Sequence, residues 1–222
     1  MALTSAYNRD NYETTVDIKH DFPGGKDMDI KKMIRGHKLW LESRGKKGEK
    51  AVFTGMELSD VDFSNTDLRE AEFHNCFMIR VDFSEANMEK CIIKHCFMPN
   101  CKFIGTVLRS SQITMTALNN SVFDKVDMSF SNIGLSEFDA VTFRYVHMIS
   151  VKAHGATFNS AVFDKVDMRT AVMFGVNMTN AKVNAKISGT KFTGAILYDA
   201  DFSNATGNAS FYKARGYSSA RS

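Results

Sequence analysis

A five-residue apolar beat dominates this chain and rules out the ordinary elements. Every fifth position from Phe53 to Val183 is a large apolar residue, with Ala153 the only small one among 27. Phe63, Phe83, Phe103, Phe123, Phe143 and Phe163 fall at steps of twenty, so a period of five is nested in a period of twenty. The residue two places before each centre is small or β-branched, apart from Met56. An apolar period of five drifts around a helix, which repeats at 3.6, and changes faces along a strand, which repeats at 2. A chain that turns a corner every five residues removes the conflict. Four such turns close a square coil of twenty residues, and because one coil cannot bury its own centre, the next must stack on it.

The units AVFTG, VDFSN, TDLRE, AEFHN, ANMEK and ADFSN resemble the A(D/N)LXX consensus of pentapeptide-repeat proteins. The resemblance runs over residues 51–205 and implies an all-β fold, a right-handed quadrilateral β-helix. Around it the chain divides into an N-terminal arm (1–26), a capping helix with its lead-in (27–50), the solenoid (51–205) and a C-terminal cap or tail (206–222). The helix is expected over 27–44. Ile30, Met33, Ile34, His37, Trp40 and Leu41 share a face, Asp27 and Asp29 open it, and Lys38 and Arg44 lie toward its end before Gly45. A solenoid needs its apolar end covered, and Trp40 and Leu41 are expected to cover Phe53 and Leu58. After Val183 the next centre, Ile187, comes four residues on, which predicts a distorted corner near Asn184-Ala185-Lys186. Phe211 and Tyr212 are the residues expected to cover the far end.

No motif for catalysis or cofactor binding occurs: there is no GxSxG, Walker-type loop, GxGxxG or HExxH. An enzyme, a cofactor and a metal are therefore not expected. Cys76, Cys91, Cys96 and Cys101 all occupy the small position before a centre, at multiples of five rather than zinc-ligand spacing. They read as packed small hydrophobes, with Cys76 above Cys96. His74, His95 and His154 fall on one side of the coil without a recurring carboxylate or thiol. No apolar run approaches the ~20 residues of a membrane span, and the N-terminus lacks the pattern of a secretory signal. Unpaired buried thiols fit a reducing compartment, so a cytoplasmic location is expected.

What remains is binding. Residues 1–50 carry a net charge of +3, residues 51–150 of −5 and residues 151–222 of +5. The densest acidic stretch comprises Glu57, Asp60, Asp62, Asp67, Glu70, Glu72, Asp82, Glu85 and Glu89. Members of the resembled family include DNA mimics that bind type II topoisomerases, and this resemblance makes gyrase binding, or protection from quinolones, the alternative function. Such mimicry needs a sustained negative potential, and here it would cover two coils at most. The preferred reading is a non-enzymatic scaffold that binds another protein or itself, as in a homodimer, with no direct nucleic-acid contact. Its candidate interface is Phe77 and Phe97, which sit one coil apart at an outward position, together with Ile79, Pro99 and Ile92; the equal alternative is that the N-terminal arm (1–26) folds back and covers this patch within the same chain. Deleting residues 1–44 is expected to expose the first coil and cause aggregation or end-to-end association. Light scattering of the truncated chain checks this; a soluble monomer of unchanged stability would assign the helix another task.

Overall fold

Parallel pairing at a constant offset of twenty residues builds the structure. The computed structural model describes residues 26–217, so the expected N-terminal arm and the last five residues lie outside them. Two units are present, and each is considered by itself.

The first unit holds helix α1 (Lys26–Glu42). It ends two residues earlier than the sequence suggests. Arg44 and Gly45 both have positive φ, 55° and 81°, and the Gly45 N–H closes on the Trp40 carbonyl at 2.8 Å. Arg44 thus falls outside the helix, and no cation lies in the last turn. Lys38 pairs with Glu42 on the exposed side. The Trp40 ring stacks on His37 at 5.7 Å. Among the described residues no helix is long and apolar enough to cross a membrane.

The second unit is a parallel β-solenoid of about seven turns. One face forms a four-stranded sheet in the order β1 (Val52–Thr54), β2 (Glu72–His74), β3 (Ile92–Lys94), β5 (Gln112–Thr114). The face two corners away forms a five-stranded sheet: β4 (Lys102–Ile104), β6 (Val122–Asp124), β7 (Thr142–Arg144), β8 (Val162–Asp167), β9 (Lys182–Lys186). The other two faces are held by isolated parallel bridges at the same offset, such as Glu57–Phe77–Phe97 and Asp67–Asn87–Val107. The Phe83 N–H donates to the Lys102 carbonyl at 2.8 Å, and the Lys102 N–H returns to Val81 at 3.0 Å.

Corners explain the beat. Every fifth residue from Gly55 to Asn180 has a positive φ, and only four of these 26 are glycine. Most of the rest are polar, and Asn recurs, the residue type that tolerates the left-handed region best after glycine. A second signal sets how tightly each unit turns. Where Asp or Asn precedes the centre, its side-chain oxygen accepts the N–H two residues on: Asp62 from Ser64 at 2.8 Å, Asp82 from Ser84 at 2.9 Å, Asp127 from Ser129 at 3.0 Å, Asn132 from Gly134 at 3.1 Å. These are Asx turns. Where Val52, Ile92, Lys102 or Gln112 precedes the centre, the unit stays extended for three residues. The aspartates of the consensus thus have a folding role.

The core is a set of vertical side-chain columns. In the phenylalanine column, ring centroids stack at 5.4 Å (Phe63–Phe83), 5.1 Å (Phe83–Phe103) and 4.5 Å (Phe103–Phe123). Edge-on contacts such as Phe63–Phe73 at 5.9 Å join this column to the next. The small inward position has its own ladder. Ser121 Oγ donates to the Met98 carbonyl at 3.1 Å and accepts the Cys101 N–H at 3.0 Å. Thr106 and Ser136 make the same bond to Phe83 and Ile113. The thiols follow suit: Cys76 Sγ reaches the Phe53 carbonyl at 3.4 Å and Cys101 Sγ the Met78 carbonyl at 2.9 Å. All four cysteines are unpaired and buried. Burial pushes the Cys91 thiol far up and the Cys101 thiol to about 12.

The slip takes the form of a missing corner. After Asn180 the next positive φ is at Gly189, and the chain runs extended through β9 where a corner is due. Its partner β8 is one residue longer. Asp164 opposes Asn184 and Val166 opposes Ala185, so Lys165 is left over. Most bridges across or beyond it fall at nineteen residues, as in Val172–Lys191 and Ile196–Arg215, while Lys186–Thr206 keeps twenty. The ladder also runs on past residue 205, through Thr206, Ser210 and Arg215. Phe211 stacks inward on Phe192 at 5.1 Å, and Tyr217 stacks on Phe211 at 3.9 Å. Tyr212, expected at the end of the core, instead points outward and is 63% exposed.

Two outcomes follow from this packing. Phe103→Ala should cost ~3–5 kcal/mol through lost burial and a cavity; an unchanged melting temperature would refute the column assignment. The second concerns acid. At Asp127 burial raises the carboxyl's pKa, but hydrogen bonds from Ser129 and Arg109 outweigh it, leaving the value below the ordinary 3.8. Ser64 does the same for Asp62 without opposition of that size. A lowered folded value means stability that is complete above about pH 4 and is lost as pH falls through the folded value. The melting temperature should hold from neutral pH to about 4 and decline below it, and Asp127→Asn should lessen that decline.

Candidate functional site

With centres and small positions turned inward, the outward surface consists of the residues flanking each centre and the corners. The bridges Glu57–Phe77–Phe97–Ala117–Glu137 place the two predicted phenylalanines in one outward column. Their ring centroids lie 6.2 Å apart at 60°. Ile79 and Pro99 occupy the next column on the same face, and Ile92 lies around the corner on β3. All five are half-buried. Further along the column Ala117 and Glu137 are buried, so this side is less solvated than its polar consensus implies.

The acidic stretch does not form one acidic face. Its members are distributed over all four sides, and most have partners. Arg80 forks onto Asp60, with Nη2 to Oδ2 at 2.6 Å, and Arg69 onto Asp67 at 2.7 Å. The Arg80 guanidinium holds the Asp60 carboxyl below its ordinary range. Glu72 meets His74 Nε2 at 2.8 Å, a carboxylate neighbour that the spacing of the histidines did not suggest. Asp82 lies 3.9 Å from Lys102. Glu57 accepts the Ser59 N–H at 2.9 Å, and the Glu85 carboxylate lies over Gly105, where an added Cβ would fall 2.3 Å from Oε1. Among the described residues no three His, Cys, Asp or Glu side chains converge as metal ligands.

A further charged column runs along the five-stranded sheet. Arg144 donates through Nη2 to Asp124 Oδ2 and holds that carboxyl below its ordinary range, and Asn184 donates to Asp164 at 2.9 Å. Beside it Lys165 reaches the Tyr145 hydroxyl at 3.0 Å. The sequence reading missed one surface. On the face that begins with β1, the C-terminal coils expose Phe174, whose ring stacks on His154 at 4.8 Å, with Leu135 and Val172 nearby. The signal was present, since His154 and Phe174 both follow a centre and stand twenty residues apart.

A family model described as "Pentapeptide repeats" matches eight copies, over residues 49–84 and 183–206. Among solved structures, the chain is similar to HetL, a pentapeptide repeat protein involved in heterocyst differentiation regulation from the cyanobacterium Nostoc sp. strain PCC 7120. They are 17% identical over 81% of this chain and 93% of HetL, with a TM-score of 0.33. It is also similar to QnrB1, a plasmid-mediated fluoroquinolone resistance protein, at 15% identity over 76% of this chain and 84% of that one, with a TM-score of 0.45. A pentapeptide repeat protein of the Arabidopsis thaliana thylakoid lumen shares 18% identity over 66% of this chain and 68% of its own, with a TM-score of 0.18. Curated protein sequences give no significant match.

Proposed function

We propose that this chain, which carries pentapeptide repeats, acts through what its outward columns display and is a non-enzymatic interaction scaffold, binding another protein or a second copy of itself through the side bearing Phe77 and Phe97. One observation carries this reading. Each outward position can be filled by a polar residue at no cost to the coil, as Glu57 shows in the same column. Two phenylalanines on successive coils, with Ile79 and Pro99 beside them, have no reason in the repeat itself. Contiguous apolar side chains at outward positions mark interfaces, and aromatic residues dominate binding hot spots. The unpaired interior thiols support a cytoplasmic setting.

The DNA-mimic reading, with gyrase as partner, draws on the acidic stretch. Ion pairing to Arg69, Arg80 and Lys102 weakens that stretch, and the charge turns positive in the last third of the chain. The interaction reading asks for no such field, and we adopt it. The double change Phe77→Ser and Phe97→Ser tests it, by light scattering and by affinity capture from the native source. Loss of the oligomer or partner with the melting temperature intact is the expected result. A fall in melting temperature with association unaffected would assign the rings to packing within the chain and overturn the proposal.

A further inference from the structure

The face that begins with β1 changes character along the solenoid. Over its segments 130–135, 150–155, 170–175, 189–194 and 208–213 there is no Asp or Glu. Among the described residues, eleven large hydrophobic side chains are more than a third exposed, and five of them lie in these segments: Phe130, Leu135, Val172, Phe174 and Tyr212. Scattered exposed hydrophobics are ordinary; this concentration on one face is not. The bridges Lys152–Val172–Lys191 set Val172 between two lysines, and the Lys213 ammonium lies 5.2 Å from the Tyr212 ring. The His154 and Phe174 rings are nearly parallel, at 7°.

The corner beside this stack is bare. Gly155, Gly175 and Gly194 follow one another there, and a Cβ built on Gly175 or Gly194 meets nothing within 4 Å. Glycine suits a left-handed corner, but 22 of the corners from Gly55 to Asn180 carry a side chain at the same φ. At Gly155 the Leu135 side chain stands 3.0 Å from where a Cβ would be, so the flank of the His154–Phe174 stack is open at Gly175 and Gly194, over about two coils, roughly 5–10 Å at the spacing of neighbouring strands.

We infer that this face is a docking surface for an acidic polypeptide segment that carries aromatic side chains. Carboxylates of the segment meet Lys152, Lys191 and Lys213, and its rings lie along the open flank beside Phe174. Charge complementarity selects the partner, because the face offers cations around an apolar centre and no carboxylate to repel an acid. A nucleic acid fits less well. Three lysines spread over five segments neutralise little of a phosphate backbone.

The inference stands apart from the Phe77–Phe97 reading, since the residues involved are different. The full chain is titrated with a fluorescent random copolymer of glutamate and tyrosine, with polyglutamate and oligo(dT) as comparators. The copolymer should bind more tightly than polyglutamate by about tenfold, and salt should weaken it. Phe174→Ser and the pair Lys152→Glu/Lys191→Glu should each weaken binding by about tenfold at an unchanged melting temperature. Lys152→Gln/Lys191→Gln is the milder variant if charge reversal lowers stability. Phe77→Ser/Phe97→Ser should leave copolymer binding intact. Absence of copolymer binding, or binding indifferent to these changes, would overturn the inference. Oligo(dT) binding that depends on the same residues would make the face a nucleic-acid site instead.

Discussion

The hydrogen bond between one coil and the next is the constraint on which everything else rests. It fixes an offset of twenty residues, and the offset turns each sequence position into a column. Once columns exist, a centre is packed chiefly against its own kind one coil away. Phe103 therefore stacks on Phe83 and Phe123 because of register, before any preference of aromatic rings for one another is considered. The same register brings Cys76 near Cys96 and sets Lys152 in line with Lys191 through Val172.

Inside the coil, polarity is handled without breaking the core. The small inward position serves as more than a spacer, because Ser and Thr there bond to the carbonyl of a centre in the preceding coil and accept an N–H in return. A buried hydroxyl costs free energy unless it is paired, and at Ser121, Thr106, Ser136 and Thr190 the preceding coil supplies the partner, whereas Ser111 Oγ has none. Cysteine can substitute because its thiol makes a weaker version of the same bond. That accounts for four buried thiols without metal or disulfide chemistry.

Most of the fold was legible in the sequence because its determinants are local and repeated. Phe63 to Phe163 announced the coil length, and the step from Val183 to Ile187 announced the slip. What escaped has physical causes. The apolar beat fades after 205 because Gly207 and Gly216 stand where centres should be, yet backbone pairing continues through Ser210 and Arg215 with Phe211 still facing inward. The helix end was misplaced because Arg44, rather than Gly45 alone, adopts the left-handed conformation. Of the outward residues, Phe77 and Phe97 stand out in the sequence as two rings in one column. His154 and Phe174 were passed over because a histidine and a phenylalanine do not look alike in sequence, although their rings stack. The acidic stretch looked continuous in the chain and is not so in space, since successive residues of a coil face four directions.

The missing corner between Asn180 and Gly189 acts as a dislocation in a one-dimensional crystal. On one side the lattice repeats at twenty residues, and across it most steps are nineteen. The segment VFDKVDM recurs at 122–128, inside the twenty-residue lattice, and at 162–168, where it contains the left-over Lys165. A whole coil copied within that lattice keeps every column in phase, so the rod can lengthen or shorten there by single genetic events. The defect therefore separates a strictly periodic part, which can gain or lose whole coils, from a terminal part in which steps of nineteen and twenty residues are mixed.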